Sequence, residues 1–257
     1  MPKQKSKIMT KRIIILGILT MSISLSFAQS EMNKIDAKGN KQGSWEESGE
    51  KGAMKKGWYK DGKKSGAWAS FQANGKVASV ESYVDGKKNG IFIEFDNNGY
   101  QSEINYYKDD VLDGVSSKYQ SNRLVSEISY VNGKEHGMKR LYYSNGKKQE
   151  ESTMIDGMKE GIVKWYDQSE NVIAEYNYTK GEFHGEQKTF YTSGAVRTQD
   201  TYVNGKQINE HLEYFENGTV KQRGGFDKSG KKDGEWVEFD QSGKKIKTEK
   251  YKAGVLQ

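Results

Sequence analysis

Three histidines and thirty-five carboxylates are the side chains of this 257-residue chain that could transfer protons or hold a metal. His136 and His184 each stand one residue before a glycine, and His211 stands alone in a strand-like segment. The stretch Gly57-Trp58-Tyr59-Lys60-Asp61-Gly62-Lys63-Lys64 nearly spells a phosphate-binding loop. However, Lys64 falls where a Ser or Thr must hold Mg²⁺, and no strand-then-helix pattern flanks it. Asp96-Asn97-Asn98-Gly99 offers closely spaced oxygens, yet the later ligands and bidentate Glu of a calcium loop do not follow. A hydrolytic carboxylate pair must be fixed about 5 to 10 Å apart in a cleft, and no two acids are singled out. Cysteine is absent, which removes disulfides, thiolate metal sites and thiol nucleophiles. Whether any of these groups converge depends on the elements that carry them.

Those elements repeat. Glycine opens a turn at Gly39, Gly62, Gly86, Gly133, Gly157, Gly181, Gly205, Gly230 and Gly254, and Asp110 fills the vacant slot. The intervals are 23, 24, 24, 23, 24, 24, 24, 25 and 24 residues, a fixed period that marks a repeat architecture. A second glycine follows four residues later, for example Gly66 and Gly90, with Asn209 as the exception. Five further on comes an aromatic column from Phe71 to Phe239, broken only by Ser48 in the first repeat. A third glycine follows after four more, with Arg123 and Glu170 as exceptions, and a tyrosine precedes most opening glycines by three. These columns take up 24 of the 28 glycines beyond residue 28. Glycine is therefore punctuation, and His136 and His184 share one turn column two repeats apart. By strand spacing that separates them by roughly 19 Å, too far to share a metal. His211 reads as a packing histidine.

Each unit holds two segments of six to eight residues rich in Val, Ile, Phe, Tyr and Trp, which favours strands. Asn74-Gly75, Asn98-Gly99, Asn145-Gly146 and Asn217-Gly218 read as tight hairpin turns at positive φ. The Asp-Gly-Lys-Lys-x-Gly stretch reads as a longer link. The expected fold is all-β: an elongated array of antiparallel β-hairpins with a period of about 24 residues and about nine repeats, spanning on the order of 85 Å. Gly254-Val255-Leu256-Gln257 is expected to begin a turn with no following strand. That leaves Ile246 to Tyr251 as the last edge, guarded by Lys244, Lys245, Lys247 and Lys250.

Asp85 to Tyr107, DGKKNGIFIEFDNNGYQSEINYY, resembles the bacterial variant of the MORN repeat, read as dGkkhGkwkeyyenGklkseeny. The resemblance runs from about Gly39 to the C-terminus. It implies a non-catalytic hairpin array. Some bacterial members carry an antitoxin-component label, and the wider family is linked to protein scaffolding and membrane-lipid contact.

At the N-terminus, Lys11-Arg12 precede the fifteen apolar-rich residues Ile13 to Phe27, and Ser26-Phe27-Ala28 supplies small residues for cleavage. This pattern is a secretory signal peptide over 1–28, shorter than the roughly twenty residues of a membrane span. Translation starts at Met1 or Met9. Residues 29–36 read as a short linker and 37–257 as the array, working in the periplasm, at the envelope or outside the cell. The formal charge of +6 owes five units to Lys3, Lys5, Lys7, Lys11 and Arg12. The remaining near-neutral chain lacks both the basic surface that nucleic acid requires and the lysine cluster that anionic lipid headgroups favour.

Two residues after the second glycine stand Trp45, Trp68, Phe92 and Trp236, with Ser116, Lys139, Val163, Gln187 and His211 between them. Such rings could form an interaction strip for a protein, an envelope component or a sugar. They could instead cover apolar surface at the two ends of the array. No column supplies nucleophile, base and orienter together. The expected function is therefore an interaction scaffold that needs no cofactor or metal, with a carbohydrate- or cell-wall-binding module as the alternative.

Overall fold

Asp61 and Gly62 both adopt positive φ, 50° and 76°, and Lys60 pairs with Lys63 on either side of them. That is the two-residue primed turn whose twist matches a hairpin. The computed structural model describes residues 32–49 and 52–257. Among them are 22 strands in one open sheet whose pairings are all antiparallel, with no α-helix; Lys87–Lys88 with Gly90–Phe95, and Val111–Leu112 with Gly114–Gln120, are each one strand interrupted at the second glycine's bulge. The expected signal peptide, both candidate start residues and the first part of the expected linker lie outside the described residues. Lys34–Ile35, at the end of the linker, form a short strand against Lys41 and Gln42.

The two turn types exchange the roles expected of them. At Asn74-Gly75 only Gly75 has positive φ. Its N–H donates to the Gln72 carbonyl at 2.9 Å, while the Gln72 N–H donates to the Lys76 carbonyl at 2.8 Å. This is the longer turn, a type I bend closed by one left-handed residue. The tight turns are instead the Asp-Gly pairs and their equivalents Asp109-Asp110, Asn132-Gly133, Lys180-Gly181, Asn204-Gly205 and Ala253-Gly254, all with two positive φ values. Both dipeptides satisfy a positive-φ requirement, so composition alone does not separate them. The pairing of the flanking strands does.

The irregular intervals have local causes. The first hairpin pairs without a break from Gly43 opposite Tyr59 to Ser48 opposite Met54. Later hairpins carry a bulge, as between Ser70 and Phe71, so the first unit is one residue short. The second 23-residue interval arises because Ser121 and Asn122 make a two-residue turn (φ 49° and 61°) in place of the longer one. The 25-residue interval arises because Asp227 to Gly230 forms the longer turn, closed by Gly230 N–H to the Asp227 carbonyl at 2.9 Å, where a tight turn otherwise stands. Glu170 replaces the third glycine and is held at φ 72°. A left-handed non-glycine residue costs roughly 1–2 kcal/mol, partly offset by glycine's unfolded-state entropy. Glu170→Gly should therefore stabilise the array by ~0.5–1 kcal/mol, read as a higher urea midpoint.

The second glycine sets the side-chain phase. Gly66 has φ 68° and lies in a bulge, because Trp58 pairs with Ser65 whereas Lys56 pairs with Ala69. One strand's alternation is thereby reset in mid-course, so Lys64 and Trp68 meet on the same face. Successive units are also joined along both rims. The Gly62 N–H donates to the Lys41 carbonyl at 3.0 Å and the Gly86 N–H to that of Lys64 at 2.8 Å. On the longer-turn rim, Tyr143 Oη donates to the Tyr166 carbonyl at 2.7 Å and Tyr191 Oη to that of Tyr214 at 2.8 Å. At the C-terminus, Val255–Leu256 form a two-residue strand paired with Lys252 and Tyr251. The uncovered last edge is therefore shorter than expected and ends at Lys250, whose carbonyl accepts the Gln257 N–H at 2.9 Å.

Candidate interaction surface

The four rings proposed as an interaction strip do not form an outward strip. Trp68 is 1% exposed, Phe92 8% and Trp236 5%, while Trp45 is half-buried. Tyr59 lies edge-on to both Trp45 and Trp68, with centroids 5.7 and 5.0 Å away. Phe92 sits in the same way between Tyr83 and Tyr107. Such contacts contribute about 0.5–1.5 kcal/mol each beyond area burial. A ligand would have to displace these neighbours, so the column holds repeats together. Its middle members Ser116, Val163 and Gln187 are buried as well.

Glycine makes room for the largest rings. A Cβ on Gly57 would stand 2.1 Å from Trp68 Cδ2, and one on Gly224 would stand 2.2 Å from Trp236 Cδ2. These are two of the four glycines that fall outside the repeat columns. The indole Nε1 atoms donate to the carbonyls of Trp58 and Gly225, each at 3.1 Å.

A lysine covers most of these ring pairs. Lys64 Nζ is 4.4 Å from the Trp68 ring centroid and 4.9 Å from that of Tyr83. Lys41, Lys88 and Lys232 repeat the arrangement over Trp45, Phe92 and Trp236. Each lysine stands four residues before its ring, a spacing visible in the sequence but not used in reading it. Where the ring is lost the arrangement changes: Glu135 pairs with Lys139 at 3.0 Å, Phe183 packs against Tyr178 and Tyr202, and Lys159, four residues before Val163, lies over the Trp165 and Tyr178 rings. Burial raises the phenol pKa of Tyr59, Tyr83, Tyr107, Tyr130, Tyr178 and Tyr202 above the ordinary value. The folded chain holds these protons more tightly than the unfolded chain does. That contribution is complete below about pH 10 and is lost as pH rises through the folded values. Alkaline titration should therefore show tyrosinate absorbance rising together with the loss of β-structure. Independent phenols ionising near pH 10 in an intact fold would contradict this.

Other sequence candidates are separated. His136, 3.9 Å from Asp156, and His184 are both exposed, and both stand in strands, Lys134–Tyr142 and Glu182–Phe190, rather than in the turns expected of them. His211 Nδ1 lies 2.5 Å from Asp200 Oδ1, and its ring stacks on Trp236 at 5.7 Å, the packing role expected. Among the described residues no group of three or more His, Asp or Glu side chains is arranged to hold a metal. Glu150 was missed. It is 3% exposed, with Lys159 Nζ at 2.8 Å and a hydrogen bond from Ser152 Oγ at 3.0 Å.

The open concavities lie along the longer-turn rim. One, of about 410 Å³, is lined by Val172, Glu175, Phe190 and the turn Thr192–Gly194. Another, of about 310 Å³, is lined by Phe215, Lys221, Glu238, Phe239 and Ile246. Phe190 and Phe239 belong to the same aromatic column, two repeats apart.

This geometry defines an open array of antiparallel hairpin repeats joined unit to unit. The family profile of the MORN repeat variant matches residues 135–156, 159–180, 183–204 and 232–253, so the chain carries MORN repeats in this region. Units outside the matched residues share the primed turns and rim hydrogen bonds, so the same architecture extends to Lys41. No curated protein matches the chain. MORN repeats generally act as scaffolds for protein or membrane interaction.

Proposed function

We propose that this protein is a non-catalytic scaffold, exported from the cytoplasm, which engages another protein or an envelope component along its longer-turn rim. The observation that carries this reading is the pair of open clefts built on one column, each combining an aromatic edge with a carboxylate. Aromatic side chains in a solvated groove are the usual anchors of recognition, and a repeat array presents them at regular pitch. The N-terminal signal pattern supports export. The carbohydrate alternative required outward rings at Trp45 and Trp68, and Trp68 is committed to packing.

The test is affinity purification of the tagged protein from an envelope fraction, with the double variant Phe190→Ala/Phe239→Ala alongside. A co-purifying species lost in the variant supports the rim. The same species retained undiminished, or no species at all, overturns it.

A further inference from the structure

Neighbouring steps of the longer-turn rim are not closed alike. Tyr143 and Tyr191 each follow a member of the aromatic column. Each phenol crosses to the column residue of the next unit, donating to the carbonyls of Tyr166 and Tyr214 at 2.7 and 2.8 Å. Midway between them the same position holds Asp167. Its carboxylate turns back on its own bend, accepting the N–H groups of Ser169 and Asn171 at 2.8 and 2.9 Å and the Asn171 amide at 3.0 Å. Among the described residues no hydrogen bond joins turn 167–171 to turn 191–195. The cleft of about 410 Å³ opens in this step.

The steps on either side show what closes the rim. At Tyr143 the gap also holds Lys148, whose Nζ lies 4.7 Å from the Tyr166 ring centroid. Val172 takes the place of Lys148 in the cleft. At Tyr191 that place is again a valine, Val196, and the phenol still bridges. The valine therefore does not by itself open the rim, and the missing phenol is the difference that spans it. Where Phe215 stands a ring is present and only the hydroxyl is lacking. Asp96 also occupies this position, but the unit after it has the two-residue Ser121-Asn122 turn and so lacks the wall that residues 192–194 provide here.

The walls of the cleft suit the group it lacks. Val172 and Phe190 offer apolar surface, while Thr192 and Ser193 are neutral and polar. Glu175 is held by Lys164 at 3.0 Å. The Phe190 carbonyl occupies the chain position at which Tyr166 and Tyr214 accept the phenols. Tyrosine combines a large apolar body with a hydroxyl donor and is enriched among the residues that dominate interfaces. From this internal precedent we infer that the cleft takes a tyrosine side chain of a partner protein, which completes the rim as Tyr143 and Tyr191 do from within. The inference rests on the reading of the rim as a partner surface and names the group that enters it.

N-acetyltyrosinamide titrated into the isotope-labelled protein tests it. The amide resonances of Thr192, Ser193 and Gly194 should shift saturably, with a dissociation constant on the order of 1 mM. N-acetylphenylalaninamide, without the hydroxyl, should bind about three- to tenfold more weakly. Asp167→Tyr supplies the ring from within and should abolish the response while keeping the circular dichroism of the wild type. Val172→Lys copies Lys148, fills the cleft from its other side and should abolish the response as well, which keeps the test decisive if Asp167→Tyr does not fold. No saturable shift in the wild type overturns the inference. So does equal or tighter binding of N-acetylphenylalaninamide or N-acetylargininamide, or an undiminished response in folded Asp167→Tyr. An envelope species lost in Phe190→Ala/Phe239→Ala yet retained by Asp167→Tyr overturns the tyrosine and leaves the rim reading standing.

Discussion

Gly57→Ala is expected to lower stability by about 3 kcal/mol or more, although it adds a single methyl group to a strand. The added carbon would stand 2.1 Å from the Trp68 indole, well inside any van der Waals contact. The ring has little freedom to retreat, since it is wedged between Tyr59 and the Lys64 side chain and donates its N–H to the Trp58 carbonyl. Trp68→Ala should cost about 3–5 kcal/mol through the cavity it leaves. The informative measurement is the double variant. Once the indole is gone the alanine methyl meets empty space, so Gly57→Ala/Trp68→Ala should be less destabilised than the sum of the singles by about 2 kcal/mol. Urea midpoints of the four proteins decide it. A Gly57→Ala protein within about 0.5 kcal/mol of wild type would mean that the ring does not occupy this space. Gly224 and Trp236 should behave alike at the other end of the array.

Lys159→Met should be the costliest change among the charged residues, at about 3–5 kcal/mol. Lys159 supplies the cation 2.8 Å from the Glu150 carboxylate, whose side chain is only 4% exposed. Removing the ammonium leaves a buried anion with Ser152 Oγ as its remaining close donor. Most of the loss should come from the stranded carboxylate, so Glu150→Gln/Lys159→Met should recover the larger part of it. Thermal or urea denaturation distinguishes the cases. Equal losses in the single and double variants would place the role of Lys159 in covering the Trp165 and Tyr178 rings, whose centroids lie 5.6 and 5.5 Å away. By contrast, exposed pairs such as Lys247 with Glu249 should matter little.

The period, the strands and the hairpin order were legible because the backbone imposes them. Positive φ admits glycine far more readily than other residues, so Gly62 and Gly75 appear in the sequence as fixed landmarks. The type of each turn was not legible, since Asn-Gly and Asp-Gly carry the same signal and differ in how Lys60 and Lys63, or Gln72 and Lys76, face each other. The burial of Trp68 was hidden for a related reason. The bulge at Gly66 shifts the alternation in mid-strand, so counting by twos from the turn does not reveal which side the ring takes. Gly57, four residues before Asp61, was the available clue: a strand glycine outside every column marks a close approach. Glu150 was concealed by its type. An acid in a column held elsewhere by Ser79 and Ala174 reads as surface until Lys159, on the next strand, is placed beside it.

The outermost described strands are fragments of units. Lys34–Ile35 is the tail of one strand, and Val255–Leu256 is the head of another. Ile35 stands where other units place their tyrosine, and Leu256 where they place their lysine. Both of these outermost described strands thus occupy positions that recur in every unit. Since adjacent units join through the same turns and rim bonds, a duplication or excision of one period would regenerate an equivalent joint. No single joint fixes the number of units, so the span of the array can change while the architecture of each unit stays the same.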